Sequence, residues 1–432
     1  MADKLSAREA CLDALIKFEK NKSYSNIELS SAIDRHNFND LDRAFFTHLF
    51  YGVIERKLTL DFYINLLVAN NKDMRIANIL RMGFYQILYM EKVPDSAACN
   101  ESVELAKKLK NKHAPGFVNA VMRNFLRRRK ELEQQFAAEN NLETKYSCNH
   151  DIIDIWKDSY GQEIAEKILE SSINSPIGFA ITVNTIKISR DAYAEKLTEL
   201  GVRCEKISEY GVYVFDELPI KKLYGFDEGF FFVQDESSQI CAFELSAKPD
   251  DLVLDVCAAP GGKSLFIAQS IKNQGKIIAL DLHENKLRLI KKSAERLGIN
   301  IIQTHEHDST KPIPLNVLDR KADCIICDVP CSGLGVVAKK PEIKYKSLDN
   351  FAHLPTLQYK ILSNCAEYLK PDGVLVYSTC TLNKKENEDI VYKFLEDNNK
   401  FKLENIKTFF PFDRTERKID GFFLAKMRLD GV

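Results

Sequence analysis

The chain has 432 residues, of which 45% are hydrophobic and 28% charged, and its formal net charge is −1. This composition excludes a disordered or fibrous chain, and the length predicts two or three folded domains. No apolar run reaches the ~18 residues of a membrane span, and the N-terminus MADKLSAREA is charged, so we expect a cytoplasmic protein that does not contact membranes.

Residues 1–140 are predicted to form an all-helical domain. Apolar residues recur every three or four positions in AREACLDALIKFE, in LDRAFFTHLFYGVIERKLTLDFYINLL and in MRIANILRMGFYQILYM, while Pro and Gly are rare. Pro94 and Asp95 interrupt the pattern before a further helix from about Ala97 to Leu109. The pattern predicts a compact helical bundle.

One edge of this bundle is basic. The stretch KKLKNKHAPGFVNAVMRNFLRRRK holds nine Lys or Arg residues and no acid. Such a local charge suits phosphate, although a solvated basic helix end has the same composition. The candidate RNA-binding residues are Lys107, Lys108, Lys110, Lys112, Arg123, Arg127, Arg128, Arg129 and Lys130.

Residues 141–235 are predicted to form a small α/β connecting domain. HDIIDIWKDSYGQEIAEKILESSI has a helical pattern, whereas GFAITVNTIK and YGVYVFDE alternate like strands. A helix from about Arg190 to Leu200 lies between the two strands. These strands could offer a surface to a nucleic acid.

Residues 236–432 are predicted to form a doubly wound α/β domain. Short apolar strands, DLVLDVC, KIIALDL, ADCIICDV and GVLVYST, alternate with helical segments such as KSLFIAQSI and HENKLRLIKKSAERLG. Continuous apolar strands separated by helices indicate a Rossmann-like parallel sheet that is covered on both faces.

The turn in VLDVCAAPGGKS is the first candidate ligand site in this domain. Small residues after a strand let the backbone approach a ligand at the carboxyl edge of the sheet, and the following helix offers free amides. The spacing matches neither a phosphate-binding P-loop nor the Gly-x-Gly-x-x-Gly fingerprint.

Four acids extend this candidate site. Asp255, Asp281, Asp308 and Asp328 each end a predicted strand, and Asp281 is positioned to accept the hydroxyls of a ribose. A single acid of this kind could be a helix cap. Together the four predict a nucleoside that carries a positive centre, such as S-adenosylmethionine.

Two cysteines follow strands at the same predicted edge. Cys331 follows Pro330, and Cys380 follows VYST. Methylation at C5 of cytosine requires a thiolate that adds to C6, and either cysteine could supply it. The remaining cysteines among the eleven are expected to be reduced thiols. Cys324 and Cys327 fall on opposite faces of one strand, so we expect no metal site with Cys331.

Several motifs resemble a known family. DVCAAPGGKS, DVPCSGLG, KPDGVLVYSTCTLNKKENE and DGFFLAKM resemble the RNA cytosine-5 methyltransferases. RMGFYQILYM, NESVELAK and GFVNAVMRN resemble the NusB-type RNA-binding domain. The pairing, over essentially the whole chain, is similar to the bacterial RsmB (Fmu/Sun) family, which modifies small-subunit ribosomal RNA.

The resemblance assigns roles to individual residues. It implies that Cys380 is the nucleophile, that Cys331 helps to release the product and that Asp328 also contacts the cytosine edge. It implies RNA as the partner, either 16S rRNA or an assembly intermediate of the small subunit, with S-adenosylhomocysteine as a product, no metal and a monomeric enzyme. The implied S-adenosylmethionine site comprises Cys257, Ala258, Ala259, Pro260, Gly261, Gly262, Lys263, Asp281, Asp308 and Asp328.

The chain departs from the family pattern at two places where arginine is expected. KKPEIKY (residues 339–345) replaces an Arg-His-Pro segment, and Thr182 replaces an arginine. Lysine lacks the planar donor fork of arginine, so the family's RNA contacts are not carried over to either place. Two other functions fit the sequence: the same chemistry on transfer RNA, and a non-catalytic RNA-binding protein of the antitermination type.

Overall fold

The computed structural model describes residues 5–21, 25–36, 38–69, 73–173, 177–216 and 218–431. The chain divides into two compact units, one of Met1–Asp154 with Val337–Ser347 and one of Ile155–Val336 with Leu348–Val432. The first, the helical unit, contains no strand among its described residues, and the second, the α/β unit, contains both sheets. No described helix is both long and apolar enough to cross a bilayer.

The helical unit packs its helices around an aromatic core. Asn39 and Asp73 cap two of the helices, since their side chains accept hydrogen bonds from backbone amides in the first turn. Phe84 and Phe125 stack with ring centroids 4.1 Å apart, and burial of each ring contributes ~1.5–3 kcal/mol. The helices are α1 (Ala7–Asn21), α2 (Ser25–His36), α3 (Asp40–Glu55), α4 (Lys57–Leu67), α5 (Met74–Tyr89), α6 (Asp95–Lys107), α7 (Ala114–Ala137) and α8 (Leu142–Tyr146).

The long apolar pattern LDRAFFTHLFYGVIERKLTLDFYINLL forms two helices rather than one. The helix breaks at Arg56, between α3 and α4. At the break, the carbonyl of Ile54 accepts a hydrogen bond from the Tyr345 hydroxyl (2.6 Å), and the carbonyl of Glu55 accepts one from Lys344 Nζ (3.1 Å). The sequence pattern missed this break because its hydrogen-bond donors come from a distant part of the chain.

Those donors belong to Val337–Ser347, a segment that the sequence predicted to continue the α/β domain and that packs instead within the helical unit. Lys344 is fully buried and donates a second hydrogen bond, to the carbonyl of Tyr146 (3.2 Å). Glu342 accepts hydrogen bonds from the amide and the hydroxyl of Ser25 (3.2 and 2.8 Å). Buried polar side chains therefore anchor the segment.

The α/β unit contains a small sheet that confirms the predicted strands on either side of α11. The sheet is antiparallel throughout, in the order β2-β3-β1-β4. Its central strands are buried, apart from half-buried Phe179, because Ile181, Val183, Val212 and Val214 pack with α11 into one apolar cluster. The elements of this region are α9 (His150–Tyr160), which contains the division between the two units, α10 (Gln162–Ile173), β1 (Phe179–Val183), α11 (Arg190–Glu199), β2 (Cys204–Lys206), β3 (Gly211–Val214) and β4 (Phe231–Val233).

A larger sheet of seven strands follows in the same unit. Its order is β10-β11-β9-β8-β5-β6-β7, and β11 alone runs in the direction opposite to the other six strands. The elements are α12 (Glu236–Glu244), β5 (Leu252–Asp255), α13 (Gly262–Ser270), β6 (Lys276–Asp281), α14 (Glu284–Leu297), β7 (Ile302–Glu306), β8 (Ala322–Asp328), α15 (Leu354–Ala366), β9 (Leu369–Thr379), α16 (Glu388–Asp397), β10 (Phe401–Phe409) and β11 (Phe422–Leu429).

The predicted doubly wound Rossmann-like architecture is confirmed. The hairpin of β10 and β11 was not predicted from the sequence. Cys324 and Cys327 pack into different clusters on the two faces of the sheet, as their spacing on β8 predicted. The boundaries at residues 140 and 235 stay predictions, since the two compact units divide the chain elsewhere.

Candidate active site

The strand order fixes where ligands can bind on the large sheet. β5 pairs in parallel with β6 on one side and with β8 on the other, so the chain winds away from β5 in two directions. Ligands of open α/β sheets occupy the crevice at the carboxyl ends of the strands where this reversal occurs. The candidate residues that follow β5, β8 and β9 lie at this edge.

The turn after β5 is a tight turn of small residues at this crevice. The Ala258 amide donates to the carbonyl of Leu280 (2.8 Å), and the Gly261 amide donates to the carbonyl of Ala258 (2.7 Å). Gly261 has φ +106°, and an added Cβ would lie 2.9 Å from Ile290, so only glycine fits there. The peptide bond between Ala259 and Pro260 is cis. Cys257, Ala259 and Gly262 are half-buried and Pro260 is exposed.

Asp255 is a buried acid beneath this turn. One of its oxygens accepts a hydrogen bond from the Ser264 hydroxyl (2.6 Å). The other oxygen is buried without a hydrogen-bond partner among the described residues. Burial raises the pKa of Asp255 to about 7, although the bond from Ser264 opposes the shift. An acceptor left without a donor in this way fits a polar ligand group.

The acids after β6 and β7 make different contacts. Asp281 accepts the amides of Ala259 (3.3 Å) and His283 (3.0 Å), which joins it to the turn after β5. Asp308 accepts hydrogen bonds from the amide and hydroxyl of Thr310 and forms an ion pair with Lys311 (3.2 Å). The bonds from Thr310 are the main cause that lowers the pKa of Asp308. Both acids therefore lie at the crevice edge, with Asp308 already paired to a cation.

Asp328, at the end of β8, is held from two sides. Lys263 Nζ donates to one carboxylate oxygen (2.5 Å), and the Ser378 hydroxyl donates to the other (2.8 Å). The Lys263 ammonium also lies 5.0 Å from the ring centroid of Phe422. Burial alone would lower the pKa of Lys263, but Asp328 outweighs it and the net pKa is raised. Lys263, a predicted cofactor ligand, is thus the cationic partner of Asp328.

The two candidate cysteines meet beside Asp328. Their sulfur atoms are 3.3 Å apart, a hydrogen-bond distance, and both side chains are half-buried. Backbone bonds join their loops: the Gly335 amide donates to the carbonyl of Cys380 (3.1 Å), and the Gly421 amide donates to the carbonyl of Gly335 (2.9 Å). Residues 49 positions apart in the sequence therefore form one thiol pair.

The two thiols of the pair influence one another. The hydrogen bond between Cys331 and Cys380 is the main cause that raises the pKa of Cys331, and burial and the charges of Glu386 and Asp328 act in the same direction. Either sulfur can be the S–H donor of this bond.

Several residues that support these loops were not predicted from the sequence. Ser378 is a buried polar residue at the end of the apolar strand β9, which is the signal that could have found it. Ser332, Thr381, Asn383 and Glu386 lie under the cysteine loops, and all are buried. Their polar character next to Cys331 and Cys380 was visible in the sequence, but their partners were not.

The predicted basic residues lie on α6, α7 and the loop between these helices, and acids from outside the basic stretch neutralise four of them. Lys107 pairs with Glu104, Lys108 with Glu9, Arg128 with Glu131, and Arg129 with Asp95 and Glu133. The structure gives no ion pair within the described residues to Lys110, Lys112, Arg123, Arg127 and Lys130, which are all exposed.

The two departures from the family pattern differ in exposure. Thr182 is fully buried and donates its hydroxyl to Gln234 (2.8 Å), so it does not face solvent. Lys339 and Lys340 are exposed, whereas Lys344 is buried in the helical unit. The described residues contain no group of three or more His, Cys, Asp or Glu side chains that could hold a metal ion.

Comparisons with known families match all three regions of the chain. The model for 16S rRNA methyltransferase RsmB/F matches residues 242–428. The NusB family model matches residues 5–127, and the ferredoxin-like domain of RsmF/B-like methyltransferases matches residues 152–221. The predicted NusB-like and methyltransferase regions are confirmed by these matches.

Full-length relatives give the same result. The probable ribosomal RNA small subunit methyltransferase B of Bacillus subtilis is 36% identical over 99% of this chain and 100% of its own length. The corresponding protein of Synechocystis is 32% identical over 98% of this chain and 99% of its own length.

Among solved structures, that of PH0851 has a TM-score of 0.77, with 24% identity over 98% of this chain and 100% of its own, and shares the fold. NSun6 from Pyrococcus horikoshii, solved with SFG, has a TM-score of 0.58, with 25% identity over 65% of this chain and 98% of its own.

Proposed function

The chain belongs to the ribosomal RNA small subunit methyltransferase B family, and from this premise we propose that it methylates C5 of a cytosine in 16S rRNA. It is a methyltransferase of the RsmB/F type, and relatives of this length are named for the small ribosomal subunit. The observation that carries the C5 chemistry is the thiol pair of Cys331 and Cys380 beside Asp328.

We propose S-adenosylmethionine as the methyl donor. When bound, it supplies an electrophilic methyl group on a sulfonium. The unpartnered oxygen of Asp255 and the carboxylate of Asp281 fit its polar and cationic groups, and the turn from Cys257 to Lys263 supplies a close backbone. Asp328 is already neutralised by Lys263, so we assign it chiefly to the cytosine edge.

Cys380 is proposed to be the nucleophile. Its thiolate forms a bond from Sγ to C6 of cytosine, and the electron pair of the C5–C6 double bond makes C5 nucleophilic towards the methyl group. C5 then takes the methyl group as the bond from that methyl to the sulfonium breaks, which leaves neutral S-adenosylhomocysteine. A base removes the C5 proton, the C5–C6 double bond re-forms, and the bond between C6 and Sγ breaks to release the Cys380 thiolate. The choice of Cys380 over Cys331 follows the family resemblance of the Thr-Cys motif at Thr379 and Cys380.

Exchange of each cysteine for serine tests this proposal. We expect Cys380→Ser to abolish both methyl transfer and covalent capture of RNA. We expect Cys331→Ser to form the adduct and retain it, which a denaturing gel detects as a slow protein–RNA band. The opposite pattern, with an adduct in Cys380→Ser only, would exchange the two roles.

The substrate is tested by bisulfite sequencing of ribosomal and transfer RNA from cells that lack the protein. Loss of one methylated cytosine in 16S rRNA is the expected result. Loss in transfer RNA instead would favour the second substrate class. RNA binding with no affinity for S-adenosylmethionine and no lost methylation would favour a non-catalytic RNA-binding protein.

A further inference from the structure

Glu386 is a buried carboxylate without a cationic partner. Its side chain is fully buried in the 3-10 turn Lys384–Glu386, and no ion pair involves it within the described ranges of the chain. Burial of a carboxylate is unfavourable unless hydrogen bonds satisfy it. Four donors do so: the Ser332 amide (2.9 Å), the Ser332 hydroxyl (2.5 Å), Gln358 Nε2 (2.9 Å) and Asn383 Nδ2 (2.9 Å).

Two of the donor residues, Ser332 and Asn383, belong to the loops that carry the two cysteines, and the third, Gln358, lies on α15. Ser332 directly follows Cys331 in the chain, and its hydroxyl also lies 2.6 Å from the hydroxyl of Thr381, which directly follows Cys380. The Thr381 hydroxyl in turn accepts the Leu334 amide (3.2 Å). The carboxylate therefore ties the residue after one cysteine to the residue after the other.

Two further contacts hold the carboxylate itself in place. Gln358 Nε2, which donates to Glu386, also donates to the carbonyl of Pro330, the residue before Cys331 (2.9 Å). The hydroxyl of Tyr377, buried in β9, donates to the backbone carbonyl of Glu386 (2.6 Å). Hydrogen bonds thus fix the Cys331 loop on both sides of its cysteine, at Pro330 and at Ser332.

We propose that Glu386 is a positioning residue for the methylation reaction, which holds Cys331 at the reacting carbon so that the product can leave Cys380. The proposal rests on the proposed function, because it gives Cys331 the role in product release. Glu386 is not among the residues proposed to contact the cofactor or the cytosine. It would instead fix the position of Cys331, on which release of the product depends. Small misplacements of a reacting group lower rates strongly.

The test is Glu386→Gln, which keeps the size of the side chain and removes the charge. An amide cannot accept all four hydrogen bonds, because its Nε2 atom is a donor. We expect turnover to fall at least about tenfold while the affinities for S-adenosylmethionine and RNA stay within about twofold. We also expect the covalent RNA adduct to accumulate, as in Cys331→Ser.

Glu388→Gln is the matched control. Glu388 lies two residues further along, is half-buried and accepts a single side-chain bond among the described residues, from the Thr408 hydroxyl (3.3 Å). We expect its turnover to stay near that of the unmodified protein and no adduct to accumulate. Equal loss of turnover in both variants without adduct would mean that Glu386 has a structural role only, and would overturn the proposal.

Ser332→Ala keeps the test decisive if Glu386→Gln does not fold. It removes the hydroxyl that bonds both Glu386 and Thr381 but retains the amide contact, so we expect a smaller accumulation of adduct. Normal release in a folded Ser332→Ala protein would then contradict the proposal. If the unmodified protein and Cys331→Ser both fail to react with RNA, the proposed function fails, and that result is distinct from normal release in Glu386→Gln.

Discussion

Three buried ionisable residues, Asp255, Lys344 and Glu386, are each held by hydrogen bonds to neutral groups. Burial of an ionisable side chain lowers the stability of the fold unless hydrogen bonds compensate for the lost water. At these three positions an apolar side chain would pack well but could not make the hydrogen bonds. Asp255 lies at the end of β5 and Glu386 lies beyond β9, at the carboxyl edge of the large sheet. Lys344 instead bonds two carbonyls in the helical unit, and burial lowers its pKa to about 8.

Lys344 predicts a pH-dependent stability. Above about pH 10.5 the lysine is neutral in both the folded and the unfolded chain. Between that pH and about pH 8 only the unfolded chain binds the proton, so stability falls as the pH falls, and below pH 8 the loss is constant. The full loss corresponds to about 3 kcal/mol.

Urea unfolding followed by circular dichroism at pH 8, 9 and 10 checks this prediction. We expect the stability of the unmodified protein relative to Lys344→Met to rise with pH. The control Lys92→Met removes an exposed lysine from the helical unit, and its difference from the unmodified protein should not change with pH. A difference for Lys344→Met that is constant across this range would contradict a buried, weakly basic lysine.

Three loops meet at the carboxyl edge of the large sheet, and their backbones are in direct contact. The loop after β8 contacts the loop after β9 through the bond from Gly335 to Cys380, and contacts the residue before β11 through Gly421. A Cβ added to Gly335 would lie 1.9 Å from the Gly421 carbonyl oxygen, far closer than van der Waals contact. The antiparallel strand β11 therefore takes part in fixing the thiol pair.

Gly335→Ala tests this contact between elements. The methyl group must move the loop after β8 away from Gly421 and from the carbonyl of Cys380, so we expect turnover to fall by about 10²-fold, the effect that a displacement near 1 Å can have. The overall fold should persist. Gly116→Ala is the control, because an added Cβ there has no neighbour within 4 Å. Equal turnover in both variants, measured by methyl transfer to RNA, would show that the loops tolerate separation.

The chain as a whole has almost no net charge, so any attraction to RNA must come from the local arrangement of its charges. Four of the nine predicted basic residues are neutralised by nearby acids in the helical unit. Lys110, Lys112, Arg127 and Lys130 are exposed and have no ion pair in the described chain, so we propose these four residues as the phosphate contacts. The structure thus narrows the sequence prediction to part of the basic stretch.

If the charges of these four residues are removed, we expect RNA binding to depend less on the salt concentration. We expect the change of Lys110, Lys112, Arg127 and Lys130 to glutamine to weaken RNA binding and to reduce the salt slope by about 1 for each phosphate that the variant no longer neutralises. Affinity for S-adenosylmethionine should stay the same. Filter binding at several salt concentrations measures the slope.

The control has the same change in net charge. It replaces Lys167, Lys196, Lys393 and Lys402, which pair with acids in the α/β unit, by glutamine. We expect its salt slope to stay close to that of the unmodified protein. Equal salt slopes in the two fourfold variants would mean that RNA binding depends on the net charge of the protein. It would then not depend on the surface formed by α6, α7 and the loop between them.

Local patterns determined much of this protein. The three-to-four residue spacing predicted the helical unit, the apolar strands predicted the doubly wound sheet, and the acids after those strands marked its ligand edge. The motifs at Cys331 and Cys380 indicated cytosine chemistry. All of these features lie within short stretches of chain, where periodicity and residue type carry the information.

Tertiary structure decided the contacts that join distant stretches. At the helix break at Arg56, the free carbonyls accept hydrogen bonds from Lys344 and Tyr345, almost 300 residues away. The local sequence around Arg56 contains no signal that predicts such distant donors. Likewise, Cys331 and Cys380 become a pair only because parallel β8 and β9 end at one edge, with Glu386 bonded to the loop of Cys331. Hydrogen bonds between loops depend on distances in space, which the order of residues alone does not contain.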